Sequence, residues 1–137
     1  MLHDPFAGTA FWIALVVKQD QYHSCAQAWA LQIEGRITTT SAVLLETANA
    51  LARPNWRTHA VAMIDHLHQR PDVDVVPLSS DLFARGWNLY RNRSDKAWSL
   101  TDCISSVAMQ DRGLMHALSA DEHFQQAGFR PMLLDMP

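Results

Sequence analysis

Three short apolar segments, each running into a stretch of helical length, constrain this chain more than any other feature. "RITTT" (36–40) leads into "SAVLLETANALA" (41–52), "VDVVPL" (73–78) into a segment over 81–92, and "LMHALS" (114–119) into a short one framed by Ser119 and Gly128. Strands this short and apolar are buried on both faces. When a helix separates consecutive strands they pair in parallel, because a parallel connection must cross the face of the sheet. The expected fold is therefore α/β, a parallel sheet covered by helices on both sides. In such sheets ligands bind outside the carboxyl ends of the strands, so the residues just beyond each strand matter most for function.

The rest of the chain fits between these units. A strand is predicted near 4–8, a helix near 10–17 and another over 21–34 that ends at Gly35. Pro54 stops the 41–52 helix, and a further helix over 56–69 closes at Pro71. Ser80 is placed to cap the helix over 81–92, and Ser99 the helix over 100–112 that ends at Gly113. "RPMLL" (130–134) is a final strand candidate.

At 137 residues the chain suits one domain, able to bury roughly two thirds of its unfolded surface. Hydrophobic residues make up 48% and charged ones 18%, too apolar for disorder, while no run approaches the ~20 apolar residues of a spanning helix. No membrane role is expected. "MLHDPFAG" lacks the basic start and cleavage site of a secretory signal, and Cys25 and Cys103 form no CxxC pair, so the expectation is a cytoplasmic protein with reduced thiols. The formal net charge of -3 argues against attachment to nucleic acid by bulk electrostatics but leaves room for a local basic patch.

Three carboxylates stand just beyond strand candidates or at helix starts: Glu46, Asp102 and Asp121. Each is weighed against a structural role. Capping does not explain Glu46, because Val43 and Leu44 occupy the positions where a capping box from Thr40 or Ser41 would place its acid; an exposed helix position remains its ordinary alternative. Asp102 closes "SLTD", an acceptable capping box from Ser99, and helix dipoles favour an acid there in any case. In "SADEHF" the box spacing pairs Ser119 with Glu122 and leaves Asp121 unassigned. His123 is expected to cap or pack a helix end, with a ligand or phosphate-contact role as the alternative, and His59, His66 and His68 lack the HExxH spacing of a zinc site.

Carboxylates gathered at one sheet end repel one another unless a cation neutralises them. Oxygen donors of this kind point to Mg²⁺ or Mn²⁺, ions that activate water and stabilise charge on a phosphate during phosphodiester cleavage. Phosphate contact needs positive charge, and "RGWNLYRNRSDK" (85–96) provides Arg85, Arg91, Arg93 and Lys96 against Asp95. Trp87, Tyr90 and Trp98 are interleaved with them, and aromatic faces stack on unpaired bases. For Trp87 burial in the core is the expectation.

"DKAWSLTDCISSVAMQDRGLMHALSADEHFQQAGF" (95–129) resembles the closing motifs of PIN-domain proteins, especially the VapC-like ribonuclease toxins of bacterial toxin-antitoxin pairs. "FWIAL" (11–15) and "TTTSAVLLETANAL" (38–51) resemble the family's opening and middle segments, in the expected order. The resemblance implies a three-layer α/β/α fold with a central parallel sheet of four or five strands, a single PIN-like domain over 1–137, and Mg²⁺- or Mn²⁺-dependent cleavage of RNA. It also implies that Glu46, Asp102 and Asp121 are the catalytic and metal-binding acids. Thr9, Ser99 and Thr101 support them, and a homodimer and a small antitoxin are the implied protein partners; the RNA contacts expected at Arg91, Arg93 and Lys96 rest on the charge of the 85–96 segment.

The chain departs from the family in its opening stretch. Where these proteins usually carry an Asp before a Thr or Ser, "PFAGTAFWIAL" has Gly8 before Thr9. Asp4 lies roughly 13 Å away along a straight strand at ~3.3 Å per residue, too far to serve instead. Two functions are thus open: a metal-dependent endoribonuclease lacking one acid, or a degenerate, non-catalytic PIN domain that binds RNA or protein.

Overall fold

A computed structural model describes residues 1–137. Its centre is a five-stranded, wholly parallel sheet that matches the upper of the expected strand counts. In chain order the strands are β1 (Leu2–His3), β2 (Phe6–Ala7), β3 (Ile33–Glu34), β4 (Ile37–Thr40), β5 (Val73–Val76), β6 (His116–Leu118) and β7 (Arg130–Pro131). The central sheet runs β5-β4-β2-β6-β7, and β1 pairs with β3 in a separate parallel ribbon. The helices are α1 (Thr9–Val16), α2 (His23–Ala30), α3 (Ser41–Ala50), α4 (Pro54–Gln69), α5 (Ser80–Asn92), α6 (Leu100–Asp111) and α7 (Glu122–Gln126). They cover the sheet on both sides in three layers.

β2 is flanked by β4 on one side and β6 on the other, so the strand order switches direction at β2. The crevice outside its carboxyl end is the place where open α/β sheets bind ligands, and Gly8 stands there, donating its N–H to the Leu118 carbonyl at 3.2 Å. Every residue of β4 is buried, including three threonines, so each hydroxyl needs a partner. Thr39 donates to the Ala7 carbonyl at 2.8 Å and accepts from the Trp12 indole at 3.4 Å, while Thr40 caps α3 through the Val43 N–H at 3.1 Å.

Five local expectations are corrected. The strand expected near 4–8 divides at Asp4, which adopts a positive φ of 48° and accepts the Arg36 N–H through Oδ1 at 2.7 Å. That kink lets the chain pair first with β3 and then with β4 and β6. The helix expected over 21–34 stops at Ala30, because Ile33–Glu34 is drawn into pairing with β1; Gly35, at φ 80°, ends that strand rather than the helix. Pro54 both limits α3 and opens α4 at its first turn, where proline's missing N–H costs nothing. Residues 130–134 are not one strand: after Pro131, which cannot donate to a ladder, Met132–Leu134 turn into a 3₁₀ helix. Ser79 rather than Ser80 caps α5.

Candidate metal centre

α6 starts where its sequence says it should. Ser99 Oγ accepts the Asp102 N–H at 3.0 Å and Asp102 Oδ2 accepts the Ser99 N–H at 2.9 Å, a reciprocal capping box. This bond consumes one carboxylate oxygen and aims the other, Oδ1, at the loop beyond β6. The capping box expected between Ser119 and Glu122 does not form. Ser119 instead spends its hydroxyl on the Asp121 N–H, 3.1 Å away, and α7 begins only at Glu122. That tight turn after β6 brings Asp121 and His123 back toward Asp102.

Asp102, Asp121 and His123 each offer one donor atom, and these atoms lie within 4.8 Å of one another. His123 Nε2 is 3.3 Å from Asp102 Oδ1, and its Nδ1 is 3.9 Å from Asp121 Oδ2. The imidazole is only 8% exposed and packs on Phe124 with ring centroids 4.0 Å apart. Despite its proximity to Asp102, Nε2 makes no aligned hydrogen bond and is a buried polar atom without a partner. The Asp121 side chain is 57% exposed and free to swing. Burial pushes the Asp102 carboxyl up, opposed by His123 and by the Ser99 hydrogen bonds. Burial pushes the His123 ring down, opposed by Asp102, Asp121 and Glu46. Two carboxylates and an imidazole with an unused nitrogen fit a divalent cation.

These residues line a cleft of about 400 Å³ together with Lys96, Trp98, Glu122 and Gln126. Glu46 stands outside the group of three, half-buried in the second turn of α3, in an adjoining groove with Thr101, Phe83 and Leu100. It is near enough for its charge to act on His123. Thr9, the first residue of α1, has a buried Oγ1 without a partner. Sequence reasoning favoured a capping or packing role for His123 over a ligand role. Its two-residue spacing from Asp121 was visible, but the turn that folds both side chains toward Asp102 was not.

The basic segment is less uniformly free than its composition suggests. Arg85 makes a two-pronged ion pair with Asp111, and Arg93 one with Asp95 while its guanidinium sits 4.9 Å over the Trp98 ring. Arg91 lies 6.0 Å from the Trp87 ring, and Lys96 faces the cleft. Trp98 is buried and donates to Gln126 at 2.7 Å, so it offers no face for a base. The expectation of a core position for Trp87 is corrected: it is 41% exposed and stacks between Phe83 and Tyr90 at centroid distances of 6.5 and 5.5 Å.

No curated protein sequence matches the chain significantly. Among solved structures it is similar to VapC20 of Mycobacterium tuberculosis, a Sarcin-Ricin loop cleaving toxin, with a TM-score of 0.85 and 28% identity over 92% of this chain and 96% of that one. It also shares its fold with VapBC2 from Rickettsia felis, solved bound to a DNA fragment from their promoter. That match has a TM-score of 0.63 and 12% identity over 96% of this chain and 97% of the other. The PIN-domain sequence profile matches residues 8–130, from the glycine beyond the central strand to the last strand of the sheet, and the chain belongs to the PIN-domain family.

Proposed function

We propose that this chain, as a single domain over 1–137, is a metal-dependent endoribonuclease and the toxin of a toxin-antitoxin pair. Glu46, Asp102 and Asp121 are assigned to an Mg²⁺ or Mn²⁺ ion. The observation that carries the reading is the convergence of Asp102, Asp121 and a buried imidazole in a cleft that also contains Lys96. The bound ion would supply an activated water and offset charge on the scissile phosphate. Lys96 reaches phosphate from the cleft wall, and Arg91 and Arg93 extend the positive track. Ser99 holds Asp102 in place by the capping box, while Thr101 and the unpartnered Thr9 hydroxyl are polar supports. The likeness to a VapC toxin and to a VapBC assembly supports RNA as substrate and a small antitoxin as partner; a homodimer is proposed from the family resemblance alone. No helix is long and apolar enough to cross a membrane, which is consistent with a cytoplasmic site of action.

The test is cleavage of an end-labelled structured RNA by the purified protein in Mn²⁺, in Mg²⁺ and in EDTA, beside Asp102→Asn. Ion-dependent cleavage that the variant lacks is the expected result. Gly8 favours a second reading, a non-catalytic PIN domain that binds RNA or protein, because it takes one carboxylate from the crevice beyond β2. RNA binding without cleavage in any of the ions would select that reading.

A further inference from the structure

Within the metal-site reading above, on which this inference rests, we infer that His123 Nε2 is a ligand in place of the carboxylate missing at position 8, so that the centre selects a divalent transition ion over Mg²⁺. Two independent observations point the same way. The crevice beyond β2 lacks an acid, because Gly8 occupies it in an extended conformation with φ −94° that any residue can adopt, so no backbone demand explains the glycine. Beside it, a 92%-buried imidazole, the complement of its 8% exposure, keeps a nitrogen without a hydrogen-bond partner 3.3 Å from an Asp102 oxygen. A buried nitrogen left unpaired carries an uncompensated desolvation cost, so native structures seldom keep one without a use.

The two sites of change are contiguous. A Cβ at position 8 would touch the Phe124 ring at 3.6 Å and Ser119 Cβ at 3.7 Å, atoms of the same turn that carries Asp121 and His123. Donor atoms up to 4.8 Å apart are slightly wide for one ion with ligands at ~2.0–2.2 Å, and the exposed Asp121 side chain can close the gap. The ring itself is fixed by its packing on Phe124. Exchanging one hard oxygen for imidazole nitrogen makes the site softer. Mg²⁺ strongly prefers oxygen and holds its waters, whereas affinity for nitrogen donors climbs from Mn²⁺ to Co²⁺.

The experiment measures Mg²⁺, Mn²⁺ and Co²⁺ binding by calorimetry, without RNA, in the native protein, His123→Gln, His123→Asp and Asp102→Asn. Electron spin-echo spectroscopy of bound Mn²⁺ in the native protein looks for coupling to a ring nitrogen. The expected result is nitrogen coupling, with a Co²⁺-to-Mg²⁺ affinity ratio that falls about tenfold in His123→Gln and further in His123→Asp, whose carboxylate suits Mg²⁺. Binding that Asp102→Asn abolishes but that shows no nitrogen coupling and an unchanged ratio would overturn the role of His123 while leaving the metal site standing. No binding of any ion would overturn both. Should either His123 variant fail to fold, the spectrum of the native protein decides alone.

Discussion

At position 8 the missing side chain is a chemical fact rather than a conformational one. The backbone there is extended, and an added Cβ meets its neighbours at ordinary contact distances, so Gly8→Asp is expected to fold. Its carboxylate would join Asp102 and Asp121, lowering thermal stability in EDTA by like-charge repulsion. It would also strengthen Mn²⁺ binding by on the order of 1–3 kcal/mol, about tenfold or more, after screening and desolvation are allowed for. Calorimetry and melting with and without Mn²⁺ check both signs. A folded Gly8→Asp with unchanged Mn²⁺ affinity would show that position 8 does not face the ion. Asp102 teaches a related lesson about single residues. Its capping role was legible in "SLTD", but capping occupies only Oδ2, and the structural role leaves Oδ1 available instead of excluding the functional one.

The helices α5 and α6 pack closely against each other. Gly86 permits this: a Cβ there would come within 2.5 Å of Ile104 Cγ1 and 3.3 Å of its Cα. Gly86→Ala should therefore cost about 1–3 kcal/mol, because overpacking forces the helices apart, despite alanine's better helix propensity. Thermal melting would read this as a fall of several degrees, and an unchanged midpoint would mean that Ile104 yields freely. The proposed RNA track starts at Arg91 in the last turn of α5 and continues through Arg93 and Lys96 beyond it. Replacing Arg91, Arg93 and Lys96 together by Ala should weaken RNA binding and reduce the salt slope by about 0.7 per lost phosphate contact. The reduction should fall short of three contacts, since Arg93 is already engaged by Asp95. Salt titrations of RNA affinity against the parent test this, with far-UV circular dichroism unchanged.

At the scale of the whole molecule, the two thiols report global opening. Cys25 and Cys103 are free and buried, and burial pushes both thiols up, with Trp29 opposing the shift at Cys25. A thiol raised in the folded state ionises first in the unfolded one, so stability is kept below the ordinary thiol range and lost as pH climbs past about 8.5. A disulfide reagent at pH 8 should label neither cysteine rapidly until denaturant is added; fast native labelling of Cys25 would mean that the C-terminal segment, whose Asp135 carbonyl accepts from Trp29 at 2.8 Å, opens on its own. The chain's local patterning was enough to determine the alternation of short buried strands with capped helices, the parallel sheet and the acids beyond its strands. Periodicity, caps and prolines act within a few residues of themselves. The kink at Asp4, the β1–β3 ribbon and the early end of α2 depend on pairing between segments some thirty residues apart. The same distance dependence holds for the site: only folding brings His123 to Asp102, buries Trp98 while exposing Trp87, and sets Glu46 in an adjoining groove, because burial and proximity are properties of the packed layers and not of any stretch of chain.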